Sequence, residues 1–282
     1  MDKRRRKLIQ LIAAVLYNAN FSGFATGRLY RGASKGMCAP GLNCYSCPGA
    51  VMSCPLGALQ QSLGAFPRAF PLYVAGFLLL AGALLGRAVC AFLCPFGLIQ
   101  ELLYKIPSHK IRKSGFTRAL SWLKYVILIV FVIWLPLFYL QKNGVAVPAF
   151  CKLICPVGSL EAALPLLAAN PALFSGVGGI FVMKMCLLSG VIILAVFIYR
   201  VFCRFLCPLG AIYSLFNPVA ILGIRVDAKK CVGCGACVRA CRLDVHKVND
   251  RECIRCGECR AVCPCGAIDG VIKRRKKKCA EN

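Results

Sequence analysis

The apolar positions of this chain are gathered into runs rather than arranged as one-sided stripes. Four runs stand out, about Leu8 to Phe24, Ala69 to Val89, Leu120 to Leu140 and Gly178 to Tyr199. Each is near the ~20 residues that a helix rising ~1.5 Å per residue needs to cross ~30 Å of hydrocarbon. The pattern predicts an all-α membrane domain of four transmembrane helices over residues 1–222. A short cysteine-rich α+β domain over 223–270 and a basic tail over 271–282 follow it.

Composition agrees with this reading. Of the 282 residues, 59% are hydrophobic, and the mean hydropathy is +0.70, well above a soluble average. The formal charge of +26, from 36 Lys plus Arg against 10 Asp plus Glu, invites nucleic acid as a partner. Many of these cations abut the apolar runs, however, where Lys and Arg set orientation. Nucleic acid is therefore set aside, and the excess charge suits anionic membrane lipid or acidic redox partner proteins on one or both sides. Basic residues cluster at the N-terminus, after the second run (Lys105, Lys110, Arg112, Lys113, Arg118, Lys124) and after the fourth. The intervening outer segments hold Arg28, Arg31, Lys35 and Arg68, then Lys142 and Lys152. This predicts a multi-pass protein of a prokaryotic cytoplasmic membrane with both termini inside. A charged start before an apolar run is also how a signal peptide looks, but no convincing A-x-A site follows, so the run is read as the first span.

A repeat cuts across the hydropathy. Cys54-Pro55-Leu56-Gly57, Cys94-Pro95-Phe96-Gly97, Cys155-Pro156-Val157-Gly158 and Cys207-Pro208-Leu209-Gly210 share one C-P-x-G pattern. Copies one and three fall on the outer side and two and four on the inner side. Each half reads span, outer motif, span, inner motif, which is a duplicated two-helix unit with its repeats parallel.

Cysteine supplies the chemistry. There are 21, most of them two or three residues apart, too close for disulfide staples and suited to metal. Only His109 and His246 are present and no C-x-x-C-H occurs, which excludes c-type haem. The C-terminal spacing, Cys231, Cys234, Cys237, Cys241, then Cys253, Cys256, Cys259, Cys263-Pro264, resembles the bacterial two-cluster ferredoxin. That resemblance implies a ferredoxin-like domain in which each fourth cysteine serves the other cluster. One site is then Cys231, Cys234, Cys237 and Cys263, and the other Cys253, Cys256, Cys259 and Cys241. Paired zinc ribbons are disfavoured, because zinc has no use for the third cysteine of each run.

In the membrane part, Cys90-x3-Cys94-Pro95 and Cys203-x3-Cys207-Pro208 end the second and fourth runs and together supply four inner thiolates. Proline favours the first turn of a helix, so each Cys-Pro is expected to open a short helix whose N-terminus faces an anionic cluster. On the outer side Cys151 and Cys155 should meet the first copy, where Ala50 holds the place of the first cysteine. Cys47, Cys54, Cys151 and Cys155 are taken as that set, with Cys44 as the alternative ligand and Cys38 as surplus.

The C-x3-C-P pairs followed by a ferredoxin domain resemble the NapH-like group of membrane polyferredoxins. The resemblance implies four [4Fe-4S] clusters, with a quinone as a further cofactor or partner. It also implies electron transfer between a cytoplasmic partner and a quinone pool or an exported redox partner. A cluster-based membrane redox sensor or a maturation factor is the alternative. Inner and outer motifs at opposite membrane faces would leave a gap to bridge, by half-helices dipping inward, by a quinone or by a partner subunit. Lys184, near the outer end of the fourth run, is read as snorkelling to the interface. Glu101 and Glu161 are read as holding matching places after their motifs, with Gln60 equivalent in copy one. As proton acceptors from a quinol they compete with a plainer role as solvated helix caps.

Overall fold

The computed structural model describes residues 3–65, 71–111 and 113–270. The basic run Lys273 to Lys278, Cys279, Arg68 and Arg112 lie outside them. Among the described residues the chain is mostly helical, with one two-stranded sheet.

Among the described residues two helices are long and apolar enough to cross a membrane, Gly115–Asn143 with 29 residues and Gly179–Phe197 with 19. They coincide with the third and fourth apolar runs. Only 28% and 17% of their most apolar stretches are buried, so side chains such as Trp122, Ile129 and Ile193 face outward. A core helix of a water-soluble protein does the reverse. Pro136 interrupts the first of these helices without breaking it, because Leu128–Trp134 just before it is wound as a π-helix. The wider turn absorbs the hydrogen bond that proline cannot donate.

The first two runs differ from the expectation of four membrane-crossing helices. The second yields a helix of 14 residues, Leu72–Leu85, that stops at Gly86, and a separate short helix, Ala88–Phe92, carries Cys90. The first run is not one helix. Lys3–Tyr17 ends before Asn18, whose amide donates to the Ala14 carbonyl and to Asn43, and Phe21–Thr26 forms a separate short helix. Asn20, between the two, donates to the Pro48 carbonyl.

The Lys3–Tyr17 helix is turned inside out. Arg6, Gln10, Ala13 and Tyr17, three or four residues apart and so on one face, are buried, whereas Leu8, Leu11, Ile12 and Leu16 are at least half exposed. The polar face meets protein and the apolar face does not.

A helix begins after the cysteine of each of the four C-P-x-G copies: Pro55–Ser62, Pro95–Leu103, Pro156–Ala169 and Pro208–Phe216. In each the cysteine is the N-cap and the proline occupies the first turn, where its missing N–H costs nothing. In copies two, three and four a short helix bearing the first cysteine precedes the motif, namely Ala88–Phe92, Ala149–Leu153 and Val201–Phe205. In copy one an irregular loop, 37–54, stands in its place.

The C-terminal unit is closed by strand β1, Arg225–Val226, antiparallel to β2, Ile268–Asp269. It is seated on the inner ends of the helices by buried ion pairs. Glu252 accepts from Arg87 at 2.6 Å and from Lys124 at 2.5 Å. Asp244 accepts from Arg204 and from the Thr117 hydroxyl. Asn217 donates to the carbonyls of Asp250 and Cys253. Arg87, Lys124 and Arg204 thus form the seat of this domain. Glu252→Ala leaves Arg87 and Lys124 buried without their carboxylate, at a cost of about 3–5 kcal/mol. The expected readout is faster hydrogen exchange and proteolysis over 225–269, with Glu252→Asp nearer wild type.

Candidate metal centres

In the C-terminal unit, Cys231, Cys234, Cys237 and Cys263 line one cavity, with Cys265 beside them, and Cys241, Cys253, Cys256 and Cys259 line a second. Each fourth cysteine has crossed to the other run. Gly235 and Gly257 follow the second cysteine of each run with φ of 68° and 79°, left-handed values that a side chain would strain. They turn the chain so that the third cysteine reaches the same cavity as the first two.

At the inner ends of the helices, Cys90, Cys94, Cys203 and Cys207 come together. Every pair lies within electrostatic reach, and all four are buried. The two halves brace each other reciprocally. Arg87, three residues before Cys90, donates to the Cys203 carbonyl at 3.2 Å, and Arg200, three before Cys203, donates to the Cys90 carbonyl at 2.5 Å. Arg200 has a φ of 53°, a left-handed conformation costing a non-glycine residue about 1–2 kcal/mol. It is held there by that carbonyl and by Glu101.

At the outer set, Cys44, Cys54, Cys151 and Cys155 line a cavity of about 310 Å³, and again every pair is within electrostatic reach. The lining differs from the expected set in one member, with the alternative Cys44 in the place of Cys47. Cys47 is buried against the backbone N–H groups of Gly49 and Ala50 and does not line the cavity. Cys44 does, because its own N–H donates to the Glu161 carboxylate at 2.9 Å, which fastens the loop over the outer site. Cys38 lies nearby, its N–H bonded to the Tyr73 hydroxyl. Lys184 also lines the cavity and donates to the Cys151 carbonyl at 3.1 Å, so it turns inward rather than snorkelling.

Gln60, expected at this place, makes the same kind of contacts as Gln100, which the pairing of Glu101 with Glu161 passes over. Gln60 donates to the Cys151 sulfur at 3.3 Å and accepts from the Phe150 N–H. Gln100 donates to the Cys203 sulfur at 3.1 Å and accepts from the Phe202 N–H. Both stand six residues after a motif cysteine, as do Glu161 and Tyr213. The residue matching Gln60 and Glu161 is therefore Gln100, and Glu101 falls one position later. Glu101 is neither a solvated cap nor a base near neutrality. It is 4% exposed and accepts from Arg6, Tyr199 and Arg200. Burial alone would raise its carboxyl, but Arg200 and Arg6 overcome that and hold it down at about 2.

Among the described residues, no three His, Cys, Asp or Glu side chains approach closely enough for a single metal ion. Three of the four cysteine sets instead line open cavities. Four thiols around a space, with helix N-termini and buried guanidinium groups beside them, fit an anionic polynuclear cluster better than tetrahedral zinc with its ~2.3 Å bonds.

Residues 68–114 and 180–225 match a family model described as a 4Fe-4S binding domain, and 224–245 and 246–269 match a second model of the same description. The chain carries 4Fe-4S ferredoxin domains. The first pair of matches contains the two inner Cys-Pro motifs, one in each half. The chain is 32% identical over 193 residues, 65% of its length, to an uncharacterized protein of Methanocaldococcus jannaschii, and that match spans 63% of the relative. It is 28% identical over 200 residues, 67% of its length, to the methylamine utilization ferredoxin-type protein MauN of Paracoccus denitrificans, 61% of which is matched. It is 27% identical over 172 residues, 58% of its length, to the putative electron transport protein YccM of Escherichia coli, 44% of which is matched. The chain thus spans less than two thirds of each of these curated relatives. No solved structure matches.

A hydrogen bond to a cluster-ligating sulfur stabilises the more negative, reduced state. Gln100→Leu is therefore expected to lower the midpoint potential of one membrane-domain cluster by about 60 mV, the one-electron equivalent of a charge-assisted hydrogen bond. Redox titration followed by EPR measures it.

Proposed function

We propose that this chain is an electron carrier of a prokaryotic membrane, akin to the NapH-like polyferredoxins. Its termini and ferredoxin domain lie on the basic, cytoplasmic face, and the apolar stretches around Leu8–Tyr17 and Leu72–Leu85 are immersed along with the two long helices. The observation that carries this reading is the gathering of sixteen cysteines into four sets of four, two of them among outward-facing apolar helices. A [4Fe-4S] cluster in each set would supply one-electron storage and relay.

The chain's own residues do the rest. Cysteines of both halves close the inner and outer sets, so neither half is sufficient alone. Gln60 and Gln100 donate to sulfur, while Arg87 and Arg200 offset negative charge where water is excluded. An apolar cavity of about 470 Å³ lined by Val89, Phe92, Leu93, Ile224 and Cys256 lies between the inner helices and the ferredoxin domain. Its size and lining suit a quinone ring. Electrons would then pass between a cytoplasmic partner at the ferredoxin domain and a quinone or an exported partner.

Iron and acid-labile sulfide on anaerobically purified protein test this. The expectation is about sixteen iron per chain, about twelve in Cys94→Ala and in Cys44→Ala, and an unchanged value in Cys47→Ala. About eight iron in every case would confine metal to the ferredoxin domain and overturn the proposal.

A further inference from the structure

One basic cavity serves none of the cysteine sets. It holds about 200 Å³ where the Lys3–Tyr17 helix, the Pro95–Leu103 helix and the ferredoxin domain meet, and Lys7, Lys105, Arg242, Tyr104, Tyr199 and Glu258 line it over Glu101. Five cations, Arg6, Lys7, Lys105, Arg200 and Arg242, here meet two carboxylates, Glu101 and Glu258. Glu101 is fully engaged by Arg6, Arg200 and Tyr199. Glu258 lies 3.6 Å from Arg6 and accepts no hydrogen bond at Oε1, while the Nε of Arg6, itself 1% exposed, has no partner. Among the described residues Lys105 and Arg242 form no salt bridge, and both are exposed.

The geometry prepares Arg242 for an anion. Its guanidinium lies over the rings of Tyr104 and Tyr199, 5.6 and 5.4 Å from their centroids. These cation–π contacts hold the group, and among the described residues its N–H groups make no hydrogen bond, so they remain for a forked contact with phosphate oxygens. The surroundings tell which anion. Leu8 and Leu11 beside Lys7, and Leu102 and Ile106 beside Tyr104 and Lys105, are about half exposed. A cationic cavity bordered by outward apolar side chains is complementary to an amphiphile with an anionic head, and a free anion would leave that border unused.

We propose that this cavity seats the phosphate-bearing headgroup of an anionic glycerophospholipid from the inner leaflet, its acyl chains lying along Leu8, Leu11, Leu102 and Ile106. The inference rests on the membrane reading above. A zwitterionic headgroup brings its own ammonium into the same positive field and binds less well. Tyr199, Arg242 and Glu258 also line the cavity of the Cys241, Cys253, Cys256 and Cys259 set, so the lipid head sits beside that site.

The test uses the full chain in nanodiscs of phosphatidylcholine with graded phosphatidylglycerol, and native mass spectrometry to count retained lipid. Wild type is expected to retain phosphatidylglycerol at least about tenfold over phosphatidylcholine. The Lys105→Ala/Arg242→Ala variant should lose that preference, Arg242→Lys should keep part of it, and Lys142→Ala, at the opposite helix end, should keep all of it. Equal retention of both lipids by wild type, or an unchanged preference in the double variant with wild-type iron content, overturns the proposal. Displacement of phosphatidylglycerol by millimolar inorganic phosphate overturns it in favour of a free anion. Release of the chain from membranes by alkaline carbonate strikes the membrane reading itself, and is scored separately from lipid choice.

Discussion

Arg6, Arg87, Lys124, Arg200 and Arg204 are each at most 2% exposed, and a cation taken out of water costs several kcal/mol unless it is paired. Each is answered by a carboxylate from another part of the chain. Arg6 and Arg200 share Glu101, Arg87 and Lys124 share Glu252, and Arg204 holds Asp244. Because each pair joins segments distant in sequence, the first helix, both halves of the repeat and the ferredoxin domain cannot be separated without exposing unpaired charge to apolar surroundings. These five buried cations meet three carboxylates, and Arg6 also lies 3.6 Å from the partly buried Glu258. The cysteines of the inner set lie beside the remaining positive charge, bordered by Arg87 and Arg200 through the carbonyls of Cys203 and Cys90.

The C-x3-C-P unit explains how such a site forms from a simple repeat. The first cysteine sits in a short helix that must end before the next proline, because the residue ahead of proline is pushed out of the helical region. The second cysteine caps the new helix from an extended conformation, with ψ between 110° and 126° in all four copies. Its sulfur then lies at an N-terminus with unsatisfied N–H groups, as the bond from the Gly210 N–H to the Cys207 sulfur shows at 3.3 Å. The glutamine six residues on reaches across to the other half, joining the N–H of its phenylalanine and the sulfur of its first cysteine. Duplication therefore supplies both the ligands and the braces. The third and fourth copies depart from this scheme: Glu161 accepts from the Cys44 N–H, and Tyr213 has another task.

How much of this is legible in the sequence depends on how local each determinant is. The two ferredoxin sets follow from spacings within about 35 residues and a known pattern of crossing. The inner set follows from the repeat. The choice of Cys44 over Cys47 does not, because it depends on Glu161, 117 residues away, and no spacing rule reports on that contact. The broken first run was hidden for a different reason. Asn18 and Asn20 are too few to lower a hydropathy average, yet their amides bind Ala14, Asn43 and Pro48 and end the helix. The polar face of Lys3–Tyr17 was visible as Arg6 and Gln10 at helical spacing, but only the partner Glu101 shows that this face turns inward.

The separation of the inner and outer sets yields to the same geometry. Loop 37–54 does not stay at the outer rim. A Cβ added at Gly41 would lie 2.9 Å from the Cys94 Cα and 2.8 Å from the Leu93 carbonyl oxygen, so only glycine lets this loop lie against the inner motif. Cys44 follows three residues later. Tyr213, fully buried, is within electrostatic reach of Cys54 in the outer set and of Cys90, Cys94 and Cys207 in the inner set. Its hydroxyl donates to the Pro40 carbonyl at 2.9 Å and ties the loop to the fourth Cys-Pro helix. The two sets are therefore neighbours around one tyrosine. The short helices agree with this arrangement: at ~1.5 Å per residue, Leu72–Leu85 rises only ~21 Å, less than the ~30 Å of a hydrocarbon core.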